Sequence, residues 1–217
     1  DLSLMEKVDF FYLGADMDKI SNDSSIRDGI KRVFETDASS VYLTVGTIEP
    51  RKNHKYVLHA FEKIWEYFPS VHLCIIGRNG WQGEDFVRMV KAHPQYKVVL
   101  HMFHDISDAE LAYCYAHAKA LIFPSLLEGF GLPIAEALNK GLPVLASDIP
   151  IFHEVGQEFC TYFNPYDASS LAEIVWKIEE SGKMPQVHSP EQYRLLSWNK
   201  SCRQLITKSL AMCRGCC

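Results

Sequence analysis

No apolar run in this 217-residue sequence approaches the about 20 residues needed to cross a bilayer as a helix. Positive charge is not in excess: 22 Lys and Arg stand against 27 Asp and Glu, a formal net charge of −5. Binding driven by counterion release needs a basic face, so nucleic acid is not an expected partner. A Gly-x-Gly-x-x-Gly string is missing, and the glycines of Gly77-Arg78-Asn79-Gly80-Trp81 are no dinucleotide fingerprint. The seven cysteines lack metal-site spacing. Cys74 and Cys114 fall in apolar contexts that suit a small hydrophobe, and Cys160 and Cys202 have no partner at ligand spacing. The string Cys213-Arg214-Gly215-Cys216-Cys217 lacks the second pair, or the histidines, that zinc requires, and reads as an unstructured terminus in a reducing compartment. The first residue is Asp1 and no signal peptide opens the chain, so the expectation is a cytoplasmic protein cut from something longer.

What is present is an ordinary globular composition, 47% hydrophobic and 23% charged, long enough for one good-sized domain and a flank. Ile26, Ile30, Val33 and Phe34 recur at helical spacing, and residues 36–40 read as a loop. Beyond them strands and helices alternate. Apolar strands are expected at 41–46, 71–77, 97–101, 119–123 and 143–147, with a short sixth at 161–163. Helices are expected at 54–68, 84–93 and 107–118, from Leu132, from a cap at Asp167 or Ser169 to Glu180, and over 191–212. Ser107 with Glu110 three residues on is a capping box, and residues 181–190, with Pro185 and Pro190, read as a linker. This alternation predicts an α/β fold, a doubly wound, Rossmann-like parallel sheet. Ligands bind such sheets at the carboxyl ends of the strands, so the loops after the first four strands must share one crevice.

The most telling segment is Leu121-Ile122-Phe123-Pro124-Ser125-Leu126-Leu127-Glu128-Gly129-Phe130-Gly131-Leu132-Pro133-Ile134-Ala135-Glu136-Ala137-Leu138. A buried strand runs into a glycine-bearing turn and then a helix opened by Pro133, which tolerates the first turn because its missing N–H has no partner there anyway. The free N–H groups of Phe130, Gly131 and Leu132 suit a phosphate, and Gly129 and Gly131 let a ligand approach closely. Glu136, in the second turn, leans back toward the helix start and suits a sugar diol. Diphosphate on the helix end and hydroxyls on the two glutamates together suggest a nucleotide sugar. The loop after the first strand, Gly46-Thr47-Ile48-Glu49-Pro50-Arg51-Lys52-Asn53, carries two adjacent cations. Alone they would read as a solvated pair. Facing the same crevice, Arg51 with its planar fork and Lys52 with its point charge read as a diphosphate clamp. Asp16-Met17-Asp18 mimics an Asp-x-Asp metal motif, but cations and a helix dipole already serve the phosphates, so no metal is expected.

These segments resemble the motifs of retaining glycosyltransferases of GT-B architecture, the large family-four group, and the chain is similar to their C-terminal, donor-binding half over roughly residues 41–210. The paired glutamates carry the resemblance, as does the loop at 46–53, which matches a Gly-x-x-x-Pro-x-Lys-Asn pattern. Pro143-Val144-Leu145-Ala146-Ser147, Glu154-Val155-Gly156 and Leu196-Ser197-Trp198-Asn199 follow the family's trend, whereas Leu142 stands where Thr is commoner and Asn139-Lys140 where small residues are. The resemblance implies an inter-domain connection over 1–40, a nucleotide-sugar domain over 41–190, and a crossing helix with tail over 191–217, with Trp198 as a packing anchor. It assigns Arg51 and Lys52 to the donor diphosphate, near Gly46 and the turn at Gly129, Phe130, Gly131 and Leu132. Glu128 would orient sugar hydroxyls or support the developing cation, Glu136 would hold the ribose, and Ile106 would lie at the base. Arg78 would add charge near the phosphates or lie over Trp81; Phe103 and His104 would be packing or surface residues.

The implied activity is front-face transfer of a hexose, best mannose from GDP-mannose, as in the building of bacterial surface polysaccharide. No cofactor is implied beyond a GDP- or UDP-linked donor. The acceptor, a saccharide or lipid-linked chain, would sit mostly in an N-terminal domain not encoded here. The full-length protein would associate peripherally with the inner face of the membrane. Other readings on this architecture are a nucleotide-sugar epimerase, an α-glucan phosphorylase carrying lysine-bound pyridoxal phosphate, or a non-catalytic nucleotide-binding module.

Overall fold

The computed structural model describes residues 9–15, 26–35, 40–184 and 197–214. The chain divides into two units, Asp18–Tyr193 and a smaller one that joins Asp1–Met17 to Arg194–Cys217.

The larger unit is built on six strands: β1 (Val41–Val45), β2 (His72–Ile76), β3 (Leu100–Phe103), β4 (Ala120–Phe123), β5 (Val144–Ser147) and β6 (Cys160–Phe163). All pair in parallel, in the order β3-β2-β1-β4-β5-β6. This is the Rossmann order, and its direction reverses between β1 and β4. Seven helices of this unit are described: α1 (Asp28–Phe34), α2 (His54–Trp65), α3 (Glu84–Ala92), α4 (Asp108–His117), α5 (Leu132–Asn139), α6 (Pro150–Gly156) and α7 (Ala168–Ser181).

Alternation along the strands splits the core between the two faces of the sheet. Tyr42, Leu73, Ile75, Ile122 and Leu145 pack with Phe61 and Ile64 of α2, Val90 of α3 and Val175 of α7. The buried residues between them serve the opposite face, where Phe123 meets Phe152 of α6 with ring centroids 5.2 Å apart and Phe34 of α1 meets Tyr113 of α4 at 6.2 Å. Cys74 and Cys114 are both fully buried, as small hydrophobes should be. Local signals set the helix ends. The Ser107 hydroxyl accepts from the Glu110 amide while the Glu110 carboxylate accepts from that of Ser107, closing the capping box. Asp167, not Ser169, caps α7 by accepting from the Ser169 amide.

Two elements depart from expectation. The strand expected at 97–101 runs from Leu100 to Phe103, because Lys97 is left-handed (φ 65°) and its amide bonds back to the Leu100 carbonyl in a tight turn. Helix α6 has no long periodic signal; it is seven residues opened by Pro150 and anchored by Phe152 and Val155. In the smaller unit, α8 (Trp198–Arg214) packs on the 9–15 segment, with the Ser201 hydroxyl donating to the Tyr12 carbonyl at 2.6 Å and the Lys208 ammonium to Asp9 at 2.8 Å. Trp198 is 43% exposed, and its backbone presses on Gly14, where a Cβ would lie 2.3 Å from the Trp198 nitrogen. Asp16-Met17-Asp18, most of the expected linker and the Cys216-Cys217 end lie outside the described residues.

Candidate donor site

The switch point between β1 and β4 brings together two loops that lie far apart in sequence. After β1 the chain makes a 3-10 turn, Pro50–Lys52, closed by left-handed Asn53 (φ 57°), whose side-chain amide donates to the Pro165 carbonyl at 3.0 Å. After β4 the Leu126 amide donates to the Arg51 carbonyl at 2.8 Å, locking the two loops side by side. Arg51, half exposed, donates from Nη1 to the Leu127 carbonyl and to Glu128 Oε2, both at 3.1 Å, and pairs through Nη2 with Glu49 at 2.6 Å. Lys52, more deeply set, pairs with Glu128 Oε1 and lies 5.4 Å from the centroid of the Phe123 ring. Burial would raise the pKa of Glu128, but hydrogen bonding and charge from Lys52 and Arg51 outweigh it, so this carboxyl titrates below its ordinary range. Arg51, Lys52 and Glu128 therefore form one ion-paired cluster.

Above that cluster lies the start of α5. Gly131 caps the helix in a left-handed conformation (φ 104°, ψ 48°), which favours glycine. Gly129 is different: no positive φ demands glycine, and a Cβ there would meet nothing within 4 Å. The residue leaves bare backbone facing open space. Among the described residues, the amides of Gly129, Phe130, Gly131 and Leu132 have no hydrogen-bond partner, the free donors of a helix start. Glu136, one turn further on, accepts from the Tyr115 hydroxyl at 3.0 Å. Burial pushes its pKa up; the Tyr115 bond counteracts, and nearby Asp108 adds to the rise.

The other expected residues line a cavity of about 540 Å³ at the carboxyl ends of β1, β2 and β3, walled by Gly46, Thr47, Gly77, Arg78, Asp105 and Ile106 among others. Gly46 links it to the cluster, since a Cβ there would sit 3.6 Å from Lys52 Cδ. Gly77 passes so close that its Cβ would fall 1.9 Å from the Gly46 carbonyl oxygen. His104 is a strut, its Nδ1 held 2.6 Å from the Gly77 carbonyl. Arg78 is exposed on the cavity rim, and among the described residues no cation–π contact joins it to Trp81, which is 72% exposed. His54, beside the clamp, is buried and its pKa is pushed down to about 4, so it is neutral; its Nε2 lies 3.3 Å from the Thr47 carbonyl. Among the described residues no group of three or more His, Cys, Asp or Glu side chains could hold a metal.

Sequence reasoning missed three participants. Glu49 and Tyr115 carry no local signal, since each is defined by a partner in space. Asn53 closes the family-like loop pattern, and its tolerance of left-handed backbone was the available clue.

An all-parallel sheet in this order, with its crevice at the β1/β4 reversal, defines a Rossmann-like domain. The chain belongs to the family glycosyl transferases group 1, whose model matches residues 27–194. The serotype-specific mannosyltransferase WbdA of Escherichia coli is 36% identical over 206 residues, 93% of this chain and 25% of WbdA. The O-antigen chain mannosyltransferase RfbU of Salmonella typhimurium is 34% identical over 150 residues, 68% of this chain and 41% of RfbU. A glycosyltransferase from Rickettsia africae superposes with a TM-score of 0.74 at 16% identity, covering 93% of this chain and 56% of that one. At that identity the likeness shows the fold. The chain spans about a quarter of the length of WbdA and less than half that of RfbU.

Proposed function

We propose that this chain is the donor-binding part of a retaining mannosyltransferase that takes a nucleoside-diphosphate mannose, GDP-mannose first. The observation that carries the reading is the junction at the sheet's switch point. There the Arg51–Lys52 turn, the Glu128 carboxylate and the unpaired amides of residues 129–132 converge. Membership of the glycosyl transferases group 1 family and likeness to two mannosyltransferases support the reaction class.

In this reading Arg51, Lys52 and the helix amides take the diphosphate and stabilise it as it leaves, which is electrostatic stabilisation of a leaving group. Glu128 orients the sugar or supports the charge developing on it, and Glu136 accepts from the ribose hydroxyls. The acceptor hydroxyl arrives on the face the diphosphate vacates. No metal is needed, because cations and helix end already supply positive charge. The acceptor, a saccharide or lipid-linked chain, is held by a second GT-B domain, and the full-length enzyme works in the cytoplasm at the inner face of the membrane. No helix among the described residues is long and apolar enough to cross a membrane.

The test is thermal stabilisation by nucleoside diphosphates and their sugars, with and without EDTA, followed by transfer from radiolabelled donor by the full-length protein. A nucleotide at 100 times its Kd should stabilise the fold by about 2.7 kcal/mol. Stabilisation lost in EDTA and restored by magnesium would overturn the metal-free reading. Absence of mannose transfer by a full-length protein that binds the donor would overturn the reaction.

A further inference from the structure

We infer that Asp105 reads the base of the donor and selects guanine. This rests on the donor-site reading above and names what that site accepts.

The cavity at the carboxyl ends of β1, β2 and β3 opens onto the diphosphate clamp through Gly46, over which the Lys52 stem lies. Phosphates at Lys52 put the base in this cavity. Its wall at Gly46 and Gly77 is bare backbone in close contact, which suits a planar ring, and Ile106 offers an apolar side. Of the residues that line it, Asp105 is the single carboxylate and Arg78 the single cation. Asp105 is left-handed (φ 49°), a conformation asparagine and glycine adopt as well, so the turn alone does not call for a carboxylate. Direct pairing does not call for it either: among the described residues no hydrogen bond or ion pair engages the Asp105 carboxylate, and Arg27, which attracts it electrostatically, gives its guanidinium fork to Glu110, at 2.6 and 3.0 Å.

Guanine presents N1–H and the N2 amino group side by side, two donors that match the two oxygens of one carboxylate. Uracil presents one N–H between two carbonyls, and adenine one amino group beside a ring acceptor. Each sets a lone pair against the carboxylate. A charged, bidentate acceptor at the base therefore favours guanine and disfavours the other two.

The experiment is calorimetric titration of GDP, IDP, XDP, UDP and ADP into wild type, Asp105→Asn and Asp105→Gly. Both replacements accept the left-handed backbone. Wild type should prefer GDP, with IDP weaker because it lacks the N2 amino group. Asp105→Gly should reduce the GDP-to-UDP affinity ratio by roughly 5- to 150-fold while UDP affinity holds. Asp105→Asn pairs an acceptor with a donor, which suits the N1–H and C2 carbonyl of xanthine, so its XDP-to-GDP ratio should rise at least about tenfold over wild type. A residue that only shaped the turn would produce no such gain. If nucleotides bind wild type and Lys52→Met weakens them, but the base ratios do not move with Asp105, the guanine assignment fails and the donor site stands. If no nucleoside diphosphate binds wild type, both fail.

Discussion

Replacing Lys52 by methionine removes the charge that neutralises Glu128 and keeps most of the side chain's volume. The two side chains are 13% and 10% exposed, so water screens their attraction weakly. Breaking a fully buried pair costs about 3–5 kcal/mol, and a surface pair about 0–1 kcal/mol. Arg51 stays 3.1 Å from Glu128 and compensates part of the orphaned charge. A loss of about 1–3 kcal/mol follows, or a fall in Tm of roughly 2–12 °C for a domain of this size. The double variant Lys52→Met/Glu128→Gln leaves no orphan charge and should recover about 1 kcal/mol of the loss. Because the Glu128 carboxyl titrates below its ordinary 4.5, the ion pair's contribution is complete above that pH. It fades as pH falls through the lower folded-state value, so the gap between wild type and Lys52→Met should close in acid.

Binding should separate the two partners. Lys52→Met should weaken nucleoside-diphosphate affinity by roughly 10- to 150-fold, one charged hydrogen bond's worth. Glu128→Gln frees Lys52 and removes a negative neighbour, so diphosphate affinity should hold or improve while transfer falls. Urea denaturation gives the stabilities and calorimetry the affinities. The reasoning fails if the double variant is no more stable than Lys52→Met, or if Glu128→Gln weakens the diphosphate as much as Lys52→Met does.

Substitutions at three further positions test the surroundings of the cluster. Burial raises the Glu136 pKa, so nucleoside binding that needs its carboxylate should weaken as pH falls through a value above 4.5, and Glu136→Gln should abolish that limb; an unchanged limb in calorimetry refutes the assignment. The folded state holds this proton longer than the unfolded chain, so stability should decline as pH rises from 4.5 through the folded value, a slope missing in Glu136→Gln. Gly77→Ala drives a Cβ to 1.9 Å from the Gly46 carbonyl and should cost about 1–3 kcal/mol, with the clamp displaced. Gly129→Ala, whose Cβ meets nothing within 4 Å, should change stability by less than about 0.5 kcal/mol yet weaken the nucleotide sugar; equal affinity would show that no ligand comes near.

How legible was this in the sequence? Elements written as local patterns were readable. The strands show as apolar runs, α2 as a periodic stripe and α4 as a capping box, because each signal lies within a few residues of what it specifies. Where the signal was a single backbone angle, it was missed: left-handed Lys97 delays β3 to Leu100, and nothing in an apolar run betrays one positive φ. The short helix α6 was invisible for a related reason, since seven residues span too few turns to show a period.

The candidate site divides along the same line. Arg51, Lys52, Glu128 and Glu136 could be picked out because chemistry and a loop-plus-helix pattern mark them within their own segments. Their pairing could not, because Glu128 lies 76 residues beyond Lys52, and Tyr115 lies 21 residues before the glutamate it contacts. A local reading gave each charge a task toward the ligand alone: cations for phosphate, carboxylates for sugar. In the fold Glu128 also serves the free protein. Two cations held close together at a crevice repel each other and resist burial. A carboxylate paired with both lets Lys52 sit nearly covered, so under the proposed function the clamp would be assembled before a donor arrives. In the proposed function a diphosphate would compete for Lys52 with a partner already in place, and Glu128, relieved of the lysine, would be left beside the sugar. This is why Glu128→Gln should preserve diphosphate affinity and lose transfer, and why no reading of either segment alone could have reached that expectation.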